Sequence, residues 1–213
     1  MNKNIADIRN DYRLSTLDEN DIATNPIEQF TRWWNDAVNS KVIEVNAMTL
    51  ATSTKDGNPS ARIVLLKDYD ERGFVFYTNY KSHKGKELEE NPNAALLFFW
   101  KEIERQIRIE GTVEKVSAEE SDAYFNSRPQ GSRIGAWASP QSAVISNRKI
   151  LDDNTEKYTE EFKNSIPRPP HWGGYRVMPL IVEFWQGRTN RLHDRIQFTK
   201  SSEGSWKAER LAP

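Results

Sequence analysis

Apolar positions along the chain change their period more than once. From Asn25 they recur at Ile27, Phe30, Trp33, Trp34, Ala37 and Val38, the spacing of a helix with one apolar stripe. Asn25 suits the cap and Pro26 the first turn, which predicts an amphipathic helix lying on something apolar. The pattern then shortens to extended runs at 47–54, 60–68 and 74–78. Lys55-Asp56-Gly57-Asn58-Pro59 and Asp70-Glu71-Arg72-Gly73 separate them, as in an antiparallel meander. Residues 94–100 and 105–116 add two strands, the second with Ile107, Ile109, Gly111 and Val113 on one side. Helical spacing returns at 118–127 and at 139–163, with Arg128-Pro129-Gln130-Gly131-Ser132 read as a break. Residues 166–174 are Pro-rich and predicted as a loop, and 180–185, 193–199 and 206–210 as closing strands. Residues 1–24 are polar and predicted as a short helix plus a mobile arm that buries little. The expected class is mainly β, a β-barrel or curled antiparallel sheet with peripheral helices, and no βαβ repeat.

At 213 residues the chain is long enough for one sizeable core, and a single domain over 1–213 is the expectation. It divides into an arm or lid at 1–24, a barrel core with helices at 25–165, and C-terminal strands at 171–213. Seven Trp, seven Tyr and nine Phe argue against disorder although the mean hydropathy is −0.79. Thirty Lys and Arg against 31 Asp and Glu leave a net charge of −1. No global positive field exists for nucleic acid or an anionic membrane, and any anion site must be a local cluster. The absence of Cys removes disulfides, thiolate catalysis and zinc-thiolate sites. Three His leave little for a metal site. No apolar leader or 18-residue apolar run is present, so the cytoplasm is the expected location.

Candidate chemistry falls in four places. If Arg191, His193 and Arg195 lie in an extended strand, alternation puts all three on one face, with Leu192 and Asp194 on the other. Such a row suits a planar anionic ligand beside Phe184-Trp185-Gln186-Gly187, and equally the solvated face of an edge strand. Arg62 and Lys67 bracket an apolar strand with opposite parity. Tyr77-Thr78 leads into a loop, Asn79 to Lys86, that opens a short helix at about 84–90 and offers backbone N–H groups to a phosphate. Tyr124 and Arg128, at i and i+4, with Ser132 in the following turn, form a cup for a phosphate monoester; an Arg serving its own helix end reads as well. Gln141-Ser142 is expected to open the long helix, and Gln106 and Gln141 offer amides that both donate and accept. Together these suffice for two phosphates and a planar ring.

The chain resembles the pyridoxine 5'-phosphate oxidase family from about Arg9 to Pro213. The resemblance is carried by residues 62–67, Phe76-Tyr77-Thr78-Asn79, residues 82–85, Glu104-Arg105-Gln106, Tyr124 to Pro129, Ile134 to Ser139, Gln141-Ser142, Trp172 to Arg176 and Phe184 to Gly187 followed by Arg191 to Arg195. It implies a homodimer of FMN-binding split β-barrels of Greek-key type, with the flavin between subunits. It also implies FMN-dependent oxidation, by dioxygen, of pyridoxine or pyridoxamine 5'-phosphate to pyridoxal 5'-phosphate, releasing hydrogen peroxide, and ammonia from the amine, in vitamin B6 salvage. By matching position, Arg62, Ile63, Val64, Leu65, Leu66, Lys67, Tyr77, Thr78, His83, Lys84, Gln106, Gln141, Ser142, Trp185 and Arg195 would hold FMN. Lys67, Tyr124, Arg128 and Ser132 would hold the substrate phosphate. Arg191 and His193 would be the catalytic pair over the pyridine ring, with Leu192 beside them and Arg9 and Tyr12 closing from the arm.

His83 stands where relatives often carry Arg, which makes a phosphate contact there weaker and pH-dependent, since an imidazole titrates near ~6.5. Asn10-Asp11 replaces a more basic pair in the arm. The aromatic stretch 172–175 is expected to be too apolar for exposure, consistent with a dimer. The alternatives are another split-barrel flavin reductase and a non-enzymatic binder of flavin or phosphorylated vitamin. Neither needs the full set Lys67, Tyr124, Arg128, Ser132, Arg191 and His193.

Overall fold

The structure is a computed structural model that describes residues 4–5 and 11–213. Helix α1 (Pro26–Asn39) starts where the apolar period does. The Asn25 side chain accepts from the Ile27 N–H at 2.7 Å, and the stripe Ile27, Phe30, Trp33 and Ala37 is buried. The strands are β1 (Ala47–Ser53), β2 (Pro59–Leu65), β3 (Asp68–Asp70), β4 (Gly73–Asn79), β5 (Asn93–Trp100), β6 (Arg105–Lys115), β7 (Trp172–Gln186), β8 (Asp194–Lys200) and β9 (Trp206–Leu211). They form one sheet in the order β2-β1-β5-β6-β7-β4-β3, with β8 on β7 and β9 on β8. Helix α2 (His83–Glu90) follows β4, while α3 (Ala118–Ser127), α4 (Gln130–Ala138) and α5 (Lys149–Glu161) lie between β6 and β7. This is the mainly β class with added helices that the pattern predicts.

Three expected elements differ. The helix expected over 139–163 is confined to α5 (Lys149–Glu161), and 130–132, read as part of a break, opens the helix α4. Pro129 precedes α4, where a missing N–H costs nothing. At the other end Pro140 drives Ser139 to extended backbone (φ −94, ψ 112) and stops the helix. The expected loop 166–174 ends early, because β7 begins at Trp172 and runs 15 residues. Its Gly173 and Gly174 are strand residues: a Cβ on Gly174 would sit 2.6 Å from Val116 Cγ2 and 2.8 Å from the Tyr77 ring. Trp172 and Tyr175 are buried by their own chain, so this stretch is no exposed apolar surface awaiting a partner. The third difference concerns the arm. Leu17 and Ala23 are buried, and the Glu104 carboxylate accepts from the Arg13 and Leu14 N–H groups at 2.8 and 3.0 Å.

The chain folds into two compact units. The first holds residues up to Thr49, Ala95–Glu110 and Pro179–Pro213. Its core gathers Phe30, Trp33, Phe98, Trp100, Phe184 and Phe198, with ring centroids 5.2 Å apart for Trp33 and Phe184 and 5.4 Å for Phe30 and Phe98. The second holds Leu50–Ala94 and Gly111–Met178. There, Phe125, Ile134, Ile166 and Trp172 form a buried cluster, with Tyr77, Tyr124, Trp137, Tyr158 and Phe162 packed on it. Along β7, Trp172 to Val177 pair with β4 and Ile181 to Gln186 with β8; Pro179, which has no N–H to give a ladder, falls between the two registers.

Candidate active site

In the second unit a cavity of about 650 Å³ is lined by residues from β2, β4, α2, α3 and α4, a size suited to a cofactor or drug-sized ligand. One wall is a stack of rings: Tyr77 lies 4.0 Å from Tyr124 and 5.6 Å from Trp172, both nearly parallel. Each such pair adds ~0.5–1.5 kcal/mol beyond its area. Burial first, then the charges of Glu120 and Asp68, pushes the Tyr77 phenol up to about 12, so it stays a donor. Arg128 follows α3 in extended conformation (φ −76, ψ 148), which lays its guanidinium 4.6 Å from the Trp172 ring. Its Nη1 is buried with no hydrogen-bond partner, and burial lowers its pKa. A buried donor left unmade costs ~1–3 kcal/mol, more when charged, which marks this as a place where a ligand acceptor belongs. Lys67, Lys84 and Ser132 line the same cavity.

Ser82 caps α2 by accepting from the Gly85 N–H at 3.3 Å. Gly85 is needed there, since a Cβ would lie 2.1 Å from the Tyr80 carbonyl oxygen. The cap places Lys84 in a buried position, its Nζ 3.4 Å from Thr78 Oγ1, and burial followed by the nearby Arg62 charge lowers its pKa. Behind it, the buried Glu87 carboxylate accepts from Ser60 Oγ at 2.6 Å and Thr52 Oγ1, with Arg62 Nη2 at 3.3 Å and His83 Nε2 at 3.1 Å. Burial opposes this charge, but those hydrogen bonds and the His83 and Arg62 charges hold the carboxyl below its usual range.

The first unit carries a second group. His193, Trp185 and Tyr12 pack as three rings, with centroids 4.6 Å apart for Trp185 and His193 and 5.7 Å for Tyr12 and Trp185. Gly187 lets Tyr12 lie down, since a Cβ there would stand 2.7 Å from Tyr12 Cβ. Arg195 grips the buried Glu183 through two contacts at 2.8 and 3.1 Å, and Arg108 Nη2 reaches the same carboxylate at 2.9 Å. Asp194 accepts from the Leu17 N–H at 3.1 Å, Arg188 at 2.9 Å and Arg210 at 3.0 Å, so it ties the N-terminal segment to β8 and β9.

The expected row Arg191, His193, Arg195 on one strand face does not form, because β8 begins only at Asp194. Arg191 sits in a 3-10 turn with positive φ, exposed with Leu192, while His193 joins the turn to the strand. Tyr124, Arg128 and Ser132 line one cavity, but not by the expected geometry: Arg128 lies past the end of α3 and Ser132 lies inside α4, not in a turn. Ile63, Val64, Leu65, Lys67, Tyr77, Thr78, Lys84, Tyr124, Arg128, Ser132 and Gln141 share the cavity wall. Leu66 is buried just past the end of β2, and Arg62 and His83 pair with Glu87. Ser142 lies in a turn with φ 72 rather than opening a helix. Gln106 belongs to the first unit with Trp185 and Arg195, and Arg9 lies outside the described residues. The sequence reading missed Trp172, Glu87 and Glu183. A lone acid inside the apolar run Ile181-Val182-Glu183-Phe184-Trp185 was the available signal for the last, since a buried carboxylate demands cationic partners. Among the described residues no cluster of His, Asp or Glu is placed to hold a metal, and no helix is long and apolar enough to cross a membrane.

A sheet of this topology with a ring-walled, cation-lined cavity defines a split-barrel protein. A solved FMN-binding, pyridoxamine 5'-phosphate oxidase-related protein from Nostoc punctiforme superposes with a TM-score of 0.70 at 17% identity, over 90% of this chain and 100% of that one. PhzG from Burkholderia lata, solved with tetrahydrophenazine-1-carboxylic acid, gives a TM-score of 0.88 at 32% identity, over 94% of this chain and 99% of that one. The pyridoxamine 5'-phosphate oxidase model matches residues 35–161, and the pyridoxine 5'-phosphate oxidase C-terminal dimerisation region matches 172–213. The pyridoxine/pyridoxamine 5'-phosphate oxidase 1 of Ralstonia nicotianae is 58% identical over 98% of this chain and 99% of its own, and the enzyme of Trichormus variabilis 56% over 100% of both. The chain belongs to the pyridoxine/pyridoxamine 5'-phosphate oxidase family and is an enzyme of that family.

Proposed function

We propose that the chain oxidises pyridoxine 5'-phosphate or pyridoxamine 5'-phosphate with dioxygen to pyridoxal 5'-phosphate. Hydrogen peroxide is the second product, and the amine substrate consumes water and releases ammonia. The observation that carries this reading is the buried, unpartnered Nη1 of Arg128 in the wall of a cavity that also holds Lys67, Tyr124 and Ser132. A phosphate monoester supplies the missing acceptor. The residues present also fit FMN: Lys84 is a buried cation at the start of α2, and the Tyr77, Tyr124 and Trp172 rings suit a planar group. When bound, FMN supplies the hydride acceptor. Arg62 to Lys67, Tyr77, Thr78, His83, Lys84, Gln106, Gln141, Ser142, Trp185 and Arg195 are the residues proposed to hold it, at the interface of a homodimer. Lys67, Tyr124, Arg128 and Ser132 anchor the substrate phosphate and thereby fix the ring's orientation, while Arg191 and His193 hold the ring at its reacting face. Leu192, Arg9 and Tyr12 are the proposed cover.

Flavin reduction under anaerobic conditions tests the reading. The purified protein should be yellow, and pyridoxine 5'-phosphate should bleach its visible absorbance. Pyridoxine without phosphate should act far more slowly. Bleaching by a reduced phenazine carboxylic acid but by neither phosphorylated vitamer would favour PhzG-like chemistry, and flavin retention with no bleaching would reduce the chain to a binder.

A further inference from the structure

Two consecutive non-glycine residues, Asn190 and Arg191, adopt left-handed backbone (φ 55 and 62) between β7 and β8. Such conformations persist only where surrounding structure enforces them, and they gather at functional sites. Here they turn the chain back so that His193 meets the start of its own loop. The Arg188 N–H donates to His193 Nδ1 at 3.1 Å. A ring nitrogen that accepts a hydrogen bond carries no proton. The opposite ring orientation would set Cδ2–H against that amide and forfeit the bond. Trp185 at 4.6 Å and Tyr12 at 6.0 Å, centroid to centroid, hold the ring plane.

We propose that the Arg188 backbone amide fixes His193 as the Nε2–H tautomer, so that His193 serves as a hydrogen-bond donor to a substrate oxygen and not as a base. The donor's target rests on the function proposed above; the tautomer does not. Turning a primary alcohol into an aldehyde breaks one C–H and one O–H bond. FMN, when bound, would take the hydride, and the O–H proton needs a separate acceptor. Neutral His193 has no lone pair free at Nε2, and taking the proton at Nδ1 would break the Arg188 hydrogen bond. The proton therefore leaves to water. Among the described residues the charged groups around the ring are Arg191, Arg188 and Asp194. Burial, then the Arg191 charge, lowers the imidazole's pKa against the pull of Asp194, which favours the neutral ring.

The test is nitrogen NMR on the full-length protein labelled at histidine, read from two-bond proton-nitrogen correlations near pH 7.5. The chain has three His, so the signal lost in His193→Gln assigns the residue. The expected pattern is an unprotonated Nδ1 and a protonated Nε2, with or without FMN. An Nδ1–H pattern, or an imidazolium, overturns the proposal. A kinetic arm checks the role: Gln keeps an amide N–H near the Nε2 position, so His193→Gln should retain roughly tenfold more kcat/KM than His193→Ala at equal flavin content. Equal loss in both would overturn the donor role. A wild-type protein inactive on both vitamers would instead sink the proposed function while leaving the NMR result standing.

Discussion

Replacing Arg128 by alanine separates a ligand group from a structural one. Its Nη1 is buried and unpartnered, so the guanidinium carries a desolvation cost that a phosphate would repay. What the residue gives back to the fold is its contact with the Trp172 ring at 4.6 Å, worth ~0.5–2 kcal/mol. These oppose each other, so Arg128→Ala should move Tm by less than about 4 °C, since 1 kcal/mol shifts a chain of this size by ~2–4 °C. Substrate binding should suffer far more. A hydrogen bond to a charged group contributes ~1.5–3 kcal/mol, and each ~1.4 kcal/mol is tenfold. KM for pyridoxine 5'-phosphate should therefore rise roughly 10- to 100-fold at unchanged flavin content. The assay is peroxide release against substrate concentration, run beside pyridoxine without its phosphate. An unchanged KM for the phosphorylated substrate, or an equal loss with both substrates, would remove Arg128 from the phosphate site.

Three further outcomes can be measured, the last resting on the proposed function. Glu87→Gln should destabilise the protein by about 3 kcal/mol at pH 7 in urea melts, because Arg62 and His83 lose a buried counter-charge. Glu87's folded pKa is depressed, so its contribution is present above the unfolded carboxylate value near ~4.3 and is lost as pH falls through the folded value. The gap between variant and wild type should close in acid, and a gap independent of pH would contradict the assignment. Gly174→Ala drives a methyl against Val116 and Tyr77 and should cost ~1–3 kcal/mol in thermal melts. Weaker substrate binding should accompany it through the displaced Tyr77 ring; full stability would refute the close approach. Arg191→Met should lower turnover much more than flavin content, and parallel losses would remove Arg191 from the reacting face.

Elements whose signal is local were legible. Helix α1 announces itself through Asn25, Pro26 and the stripe from Ile27 to Ala37, because cap, first turn and period agree. The meander is equally plain, since turn residues punctuate it. The reading failed where tertiary packing decides. Gly173-Gly174 looks like a loop until Tyr77 and Tyr80 occupy the space a Cβ would need. Pro129 reads as a breaker although it precedes a helix, and the true stop is the pair Ser139-Pro140. In the candidate site the residue types were visible but their geometry was not. Alternation assumed a strand at His193, whereas two left-handed residues make a turn there. Glu87 and Glu183 were overlooked because an acid has no evident use near an anion site. Their use appears only once each is seen buried between cations that it holds in place.

The central claim is oxidation of a phosphorylated B6 vitamer by dioxygen, and the most direct measurement is aldehyde and peroxide followed together. With FMN supplied and pyridoxine 5'-phosphate added in air, pyridoxal 5'-phosphate and hydrogen peroxide should appear in equal amounts, and Arg128→Ala should need much more substrate to reach the same rate. Bound FMN with neither product, or peroxide without aldehyde, would contradict the account.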